Sequence, residues 1–274
     1  MPWFPEFTSA MVLAREETRV AGQADPVRQY VTALNSGDAH ALEDVWPGEV
    51  IVYDPREGEV RGHRRLQQFV SRSQAMLTRR HLEVDIVATT VAGRRAVMEL
   101  LAHLDDDGDG RRVPWSVAIV AESRDDRSVV FRTYFSRWPL DREHHVRPPV
   151  LPPGGDLAGD VVARYLAALQ AGDAEAVVST FEPDGYYREP DGPRATHRGT
   201  AELRSFFAAE LPARGVGLEQ CAVTDDGVRC ALEYNILRWG DRVLAPQAGL
   251  GVYERGPDGL LAAARVYDDA ERGP

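Results

Sequence analysis

Two carboxylates stand at matched places in this chain: Asp54 before Pro55, and Glu189 before Pro190. Each closes a short run with strand character. On a period of two, Asp54 shares a face with Val50 and Val52, and Glu189 with Gly185 and Tyr187. A carboxylate among apolar neighbours is uncommon unless it is paired or used. Such surroundings raise its pKa toward the range useful for a general base. The competing reading of either acid is a turn residue that caps backbone amides beside the proline. A tyrosine precedes each acid at the same spacing, Tyr30 and Tyr165. Each reads either as a core aromatic with a satisfied hydroxyl or as a hydrogen-bond donor into a site.

These pairs belong to a repeat. Residues 29–55 read QYVTALNSGDAHALEDVWPGEVIVYDP, and residues 164–190 read RYLAALQAGDAEAVVSTFEPDGYYREP. Tyr30, Gly37-Asp38 and Asp54-Pro55 meet Tyr165, Gly172-Asp173 and Glu189-Pro190 without a gap. Further on, Arg61-Gly62 meets Arg198-Gly199, Met98-Glu99 meets Leu232-Glu233, Pro114 meets Pro246, and Arg132-x-Tyr134 meets Arg265-x-Tyr267. A period this long describes two related domains rather than a solenoid.

The elements that must position these residues follow from local signals. Asp25-Pro26 is an N-cap acid with proline at the first helical position. Val27, Tyr30, Val31 and Leu34 then form one apolar stripe, as do Val162, Tyr165, Leu166 and Leu169. Gly37 and Gly172 suit a left-handed helix end, and Asp38 and Asp173 cap a second helix. A strand carrying the acid follows, then a third helix over 63–78 or 200–212, with Thr200 as its N-cap. Four strands complete each half, over 82–91, 94–104, 111–122 and 128–138, and over 216–224, 228–238, 242–254 and 260–268. This is an α+β arrangement of three helices on a sheet, made twice. The expected domains are 24–146 and 156–274, joined by a proline-glycine linker over 147–155. Residues 1–23 are an N-terminal extension expected to pack along the other domain.

Composition bounds the function. At 274 residues each half can bury its own core. All 32 basic residues are arginine, which excludes Schiff-base lysine chemistry and a Walker-type phosphate loop. The net charge of −11 argues against nucleic-acid or anionic-membrane binding. No apolar run approaches the ~18 residues of a spanning helix, and the N-terminus lacks the pattern of a secretion signal. Cys221 and Cys230 read as reduced thiols, and the expected location is cytoplasmic.

Other candidates are weaker. Asp105-x-Asp107-x-Asp109-Gly110 imitates the start of a calcium loop, but Ser116 stands where the closing glutamate belongs. His63 reads as a capping or surface residue, and His144-His145 as an isolated pair. No metal or cofactor is expected. Glu99 and Glu233 fall opposite the apolar face of their strands and, with Arg132 and Arg265, are expected to form an ion-pair network between the domains.

The order of helix with tyrosine, Gly-Asp, helix, strand ending in acid-proline, helix and curved sheet resembles the ketosteroid isomerase/SnoaL-like polyketide cyclase group of the NTF2-like superfamily. RYLAALQAGDAEAVVSTF and APQAGLGVYE carry the likeness most closely. The resemblance implies two tandem cone-shaped domains, each with three helices on a curved antiparallel sheet, forming an internal pseudo-dimer in a monomer or homodimer. It also implies a cofactor-independent isomerase or cyclase of secondary metabolism. That enzyme would move a proton on a small hydrophobic, carbonyl-bearing intermediate. By position, Asp54 and Glu189 would be bases and Tyr30 and Tyr165 oxyanion donors. Ser116 and Ala248 hold the place of a second donor, which alanine cannot supply. Val52, Tyr187, Trp115 and Ala248 would contact substrate. The first pocket is expected to carry the chemistry, because Glu189 is a methylene longer than Asp54 and lies beside bulky Tyr187. Two alternatives stand beside this reading. One is epoxide opening by acid pairs, Asp54 with Glu83 and Glu189 with Glu219. The other is a non-catalytic small-molecule-binding module.

Overall fold

The computed structural model describes residue 20 and residues 23–106, 110–157 and 159–269. The expectation for residues 1–23 therefore falls almost wholly outside the described residues, as does the middle of the Asp105–Gly110 stretch.

The first repeat runs α1 (Pro26–Ser36), α2 (His40–Glu43), β1 (Val50–Asp54), β2 (Gly58–Arg61), α3 (His63–Arg79), β3 (Glu83–Ala92), β4 (Arg95–Asp105), β5 (Arg112–Ser123), β6 (Val129–Tyr134) and α4 (Trp138–Asp141). The second runs α5 (Val161–Ala171), α6 (Ala174–Ser179), β7 (Phe181–Arg188), β8 (Thr196–Arg198), α7 (Gly199–Glu210), β9 (Val216–Asp225), β10 (Arg229–Trp239), β11 (Arg242–Arg255) and β12 (Leu261–Tyr267). The local signals account for the helix ends. Asp25 accepts the Arg28 amide, Asp160 the Val162 amide and Asp173 the Ala176 amide. Gly37 and Gly172 close α1 and α5 with φ of 71° and 73°. At Gly172 a Cβ would lie 2.5 Å from the Ala213 carbonyl oxygen, so close approach and backbone conformation both demand glycine.

The strands form two six-stranded sheets, ordered β2-β1-β6-β5-β4-β3 and β8-β7-β12-β11-β10-β9. The architecture is α+β, helices with a six-stranded sheet made once from each repeat. In the second sheet every neighbouring pair is antiparallel except β7 with β12, and β1 with β6 is likewise parallel. Three local expectations are corrected. β2 and β8 are short hairpin partners of the acid-bearing strands that the pattern does not announce. The strand expected over 128–138 ends at Tyr134, after which Trp138-Pro139 opens a helical turn. Thr200 lies inside α7, whose N-cap is Arg198, with the Glu202 carboxylate reaching back to the Arg198 amide.

Contact density divides the described chain into two compact units. One comprises the residues up to Leu82 with Arg94–Ala96 and Ile119–Thr133; the other comprises Glu83–Gly93, Val97–Ala118 and the residues from Tyr134 onward. In the first, Val27, Tyr30, Leu42, Val52, Leu66, Phe69 and Val70 are buried, and the Tyr30 ring stacks on Phe131 at 4.5 Å. In the second, α5 buries Val162, Tyr165 and Leu166 against Leu232, Tyr234 and Tyr253 of the sheet. Burying one such apolar side chain fully contributes roughly 1.5–3 kcal/mol. No helix among the described residues is long and apolar enough to cross a membrane.

Charged side chains occupy the other face of the strands. Arg265 donates from Nε and Nη2 to Glu99 at 2.6 and 2.8 Å, and the Tyr267 hydroxyl donates to the same carboxylate at 2.7 Å. Tyr134 donates to Glu233 at 2.7 Å. All five residues belong to the larger unit and are buried. Alternation explains the segregation: Glu233, Arg265 and Tyr267 are odd-numbered, while the apolar residues facing α5 are even-numbered on β10 and β12.

Candidate active site

A cavity of about 90 Å³ lies in the second repeat, lined by α5, α7 and the helix-facing side of the sheet. Strand alternation selects its lining: Leu218 from β9, Tyr234 and Ile236 from β10, Tyr253 from β11, then Val266 and Asp268 along β12 and just beyond it. Tyr165 on α5 and Tyr187 on β7 add two more phenols, and Phe206, Phe207 and Leu211 close the helical side.

Polar groups converge there. The Tyr234 hydroxyl donates to the Asp268 carboxylate at 2.8 Å, and both residues are buried, at 4% and 8% exposure. Tyr165 lies 5.3 Å from Tyr253, ring to ring. Tyr187 packs on Phe206 and Phe207 at 5.1 and 5.3 Å, and His197 stacks on Phe206 at 4.0 Å. Burial above all, with the Asp268 charge adding to it at Tyr187, Tyr234 and Tyr253, lifts these three phenols well above the ordinary tyrosine value; burial alone does so for Tyr165. All four remain neutral hydrogen-bond donors at working pH, beside a carboxylate. That is the equipment for accepting a proton from carbon or oxygen while stabilising negative charge on a nearby oxygen.

Two glycines make room for two of these rings. A Cβ at Gly249 would sit 2.5 Å from the Tyr234 ring, and one at Gly251 the same distance from the Tyr253 hydroxyl. Continuing the repeat matches places Val117 and Ile119 at the glycine positions of the first repeat. Val52, Leu100, Ala121 and Phe135 then stand where Tyr187, Tyr234, Tyr253 and Asp268 stand in the second. The polar lining is thus peculiar to the second repeat; of its phenols only Tyr165 keeps a twin, Tyr30.

The residues singled out by the sequence divide accordingly. Tyr165 and Tyr187 line the cavity. Glu189 does not; its carboxylate bonds His197 at 2.9 Å. Glu219 also faces away, accepting from Asn235 at 3.0 Å, whereas its neighbour Leu218 lines the cavity. Ala248 is on the outer face, where its amide donates to the Arg147 carbonyl at 2.9 Å. Ser116 shares that parity; its buried hydroxyl has no hydrogen-bond partner among the described residues and lies against Gly192. In the first repeat Val52 is fully buried, and Tyr30 is buried beside Thr133 within electrostatic reach of Asp54. Asp54 itself accepts the Arg56 and Glu57 amides at 2.8 and 3.2 Å, which ties down the β1–β2 turn. Trp115 packs edge-on to Phe135 at 4.8 Å. Glu83 is exposed and paired with Arg112. Sequence reasoning missed Asp268, Tyr234 and Tyr253. Extending the match of Arg132-x-Tyr134 with Arg265-x-Tyr267 by one residue would have set Phe135 against Asp268.

The SnoaL-like domain family model matches residues 27–131 and again residues 162–264. Among solved structures, an epoxide hydrolase/cyclase-like enzyme described in pyran ring formation of the polyether salinomycin is 22% identical, covers 39% of this chain and 87% of its own, and has a TM-score of 0.34. A putative polyketide cyclase from Sinorhizobium meliloti is 21% identical, covering 40% of this chain and 94% of its own at a TM-score of 0.33. An NTF2-like protein from Cytophaga hutchinsonii is 16% identical, covering 40% and 87% at 0.32. With both repeats matched, the chain belongs to the SnoaL-like domain family and carries that domain twice in tandem.

Proposed function

We propose that the protein is a cofactor-independent proton-transfer enzyme of the isomerase or cyclase type, acting on a small, apolar, carbonyl-bearing substrate in the cavity of the second repeat. The observation that carries this reading is the Asp268 carboxylate, held by Tyr234 at 2.8 Å in a cavity shared with three further neutral phenols. Asp268 removes a proton from the carbon beside the carbonyl. The C–H electron pair becomes a carbon–carbon double bond, and the carbonyl pair moves onto oxygen as an enolate. A phenol, Tyr165 by its place on the helix, donates to that oxygen. Returning the proton to a different carbon completes an isomerisation; attack of the enolate carbon on a second carbonyl, whose oxygen takes the displaced electron pair and then the proton held by Asp268, completes a cyclisation.

This reading assigns the base role to the second repeat rather than to Asp54, whose carboxylate already accepts two turn amides. The volume of about 90 Å³ favours a small reacting portion, with Phe206 and Tyr187 parting to admit a larger molecule. The test is conversion of a β,γ-unsaturated ketone to its conjugated isomer, followed by the absorbance of the enone. Asp268→Asn is expected to lower turnover by about 10²–10⁴-fold, and Tyr165→Phe by about 10²–10³-fold. Equal rates in wild type and Asp268→Asn would remove Asp268 from the mechanism. Tight binding of such ketones without turnover would favour a binding module.

A further inference from the structure

The first repeat carries a second cluster of chemically capable side chains, apart from the cavity just described. His40 and Glu43 lie one helical turn apart on α2, and His63 is the first residue of α3. The His63 Nδ1 lies 2.9 and 2.7 Å from the two Glu43 carboxylate oxygens, and the His40 Nδ1 lies 3.5 Å from one of them. One ligating atom from each of the three falls within 4.8 Å of the others. Glu43 and His63 also line a cleft of about 370 Å³, together with Trp46, Val50, Arg61 and Leu66.

We propose that His40, Glu43 and His63 form a binding site for one first-row divalent metal ion of the zinc type. Two imidazoles and a carboxylate are a donor set that suits zinc. With bonds of about 2.0–2.1 Å and tetrahedral geometry, ligand atoms stand roughly 3.3 Å apart. The observed separations bracket that value, and side chains that are 66%, 26% and 59% exposed adjust to it by small rotamer changes. Three protein ligands leave a fourth position for water or a small anionic ligand, bordering the cleft that Glu43 and His63 line. A simple His63–Glu43 hydrogen bond joining α2 to α3 would explain that pair but not the third ligand or the adjoining cleft.

The test is calorimetric titration of the chelator-treated protein with zinc chloride, with cobalt(II) absorbance as the readout of coordination. The expected result is one saturable site per chain, with the visible bands of four-coordinate cobalt. His40→Ala and His63→Ala are each expected to weaken binding by about 100-fold, at the upper end of what loss of a supporting group costs. Substituting His144 and His145 is expected to leave it unchanged. Glu43→Gln, which can still bond His63, is a second probe should an alanine variant unfold by circular dichroism. No saturable binding overturns the proposal. So does a loss of less than tenfold in the folded His40 or His63 variants.

Discussion

Replacing Glu99 with alanine removes the acceptor of three short buried hydrogen bonds, two from Arg265 and one from Tyr267. Glu99 and Arg265 are 1% and 2% exposed, so water cannot fully substitute. Breaking a buried ion pair by removing one partner costs about 3–5 kcal/mol, because the remaining charge is left uncompensated. Arg265 keeps part of its compensation: Glu254 accepts from Nη1 and Nη2 at 3.2 and 3.1 Å, and the Tyr186 hydroxyl accepts at 3.0 Å. The lower end, about 3 kcal/mol, is therefore the expected loss. At about 2–4 °C per kcal/mol this is a fall of roughly 6–12 °C in Tm. Glu99→Gln retains one acceptor oxygen and is expected to lose about half as much. Glu99→Leu combined with Arg265→Met is expected to recover most of the loss, since apolar replacement of both partners leaves no stranded charge. Denaturant unfolding monitored by circular dichroism provides the measurement. A loss under about 1 kcal/mol for Glu99→Ala, or no recovery in the double variant, would refute the reasoning.

Other outcomes follow from single features. Gly215 has φ of 65°, and an added Cβ would lie 2.3 Å from the carbonyl oxygens of Leu169 and Gln170; Gly215→Ala is expected to cost more than about 1 kcal/mol by denaturant unfolding. Burial pushes the Cys221 and Cys230 thiols up to about 11 and about 12, from 9. The protonated form is thus favoured in the fold, so this stabilisation is fully present below pH 9 and is lost as pH rises toward 12. The buried phenols shift in the same direction. Stability measured by urea unfolding is expected to be flat from pH 7 to about 8.5 and to fall above about 9. A rise over that interval would contradict the burial of these groups. Asp54→Asn preserves the turn, since asparagine caps the same amides, and is expected to change stability by less than about 0.5 kcal/mol.

Much of the fold was legible because the repeat supplied two independent copies of each signal. The caps at Asp25 and Asp173 and the left-handed glycines at 37 and 172 fix the helix ends locally; Asp38, also read as a cap, accepts the His40 amide at 2.9 Å, although Ala39 is the N-cap residue. What alternation alone could not give was which face of a strand meets the helices. On β11 both faces are buried, Ala248, Leu250 and Val252 on one and Tyr253 on the other, so apolarity carries no phase there. The family resemblance placed Ser116 and Ala248 among the site residues, whereas Ala248 and the parity it shares with Ser116 fall on the outer face. On β3 the even-numbered residues Val84 and Ile86 make the more apolar face. Val84 and Ile86 are instead 39% and 55% exposed, because β3 is the edge of its sheet and only the Ala88–Thr90 end is covered. Asp268 was hidden for another reason. It lies just past the last strand, where the repeat matching stopped, and its twin is an aromatic rather than an acid.

The assignment of proton transfer to the second repeat is tested most directly by deuterium exchange. Small cyclic ketones that fit a cavity of about 90 Å³ are incubated with the protein in D₂O, and loss of the α-proton signal is followed by ¹H NMR. Wild type is expected to accelerate exchange, Asp54→Asn to match it, and Asp268→Asn to lose about 10²–10⁴-fold of the acceleration. Exchange that survives Asp268→Asn but is lost in Asp54→Asn, or no acceleration by the wild-type protein, would contradict the account.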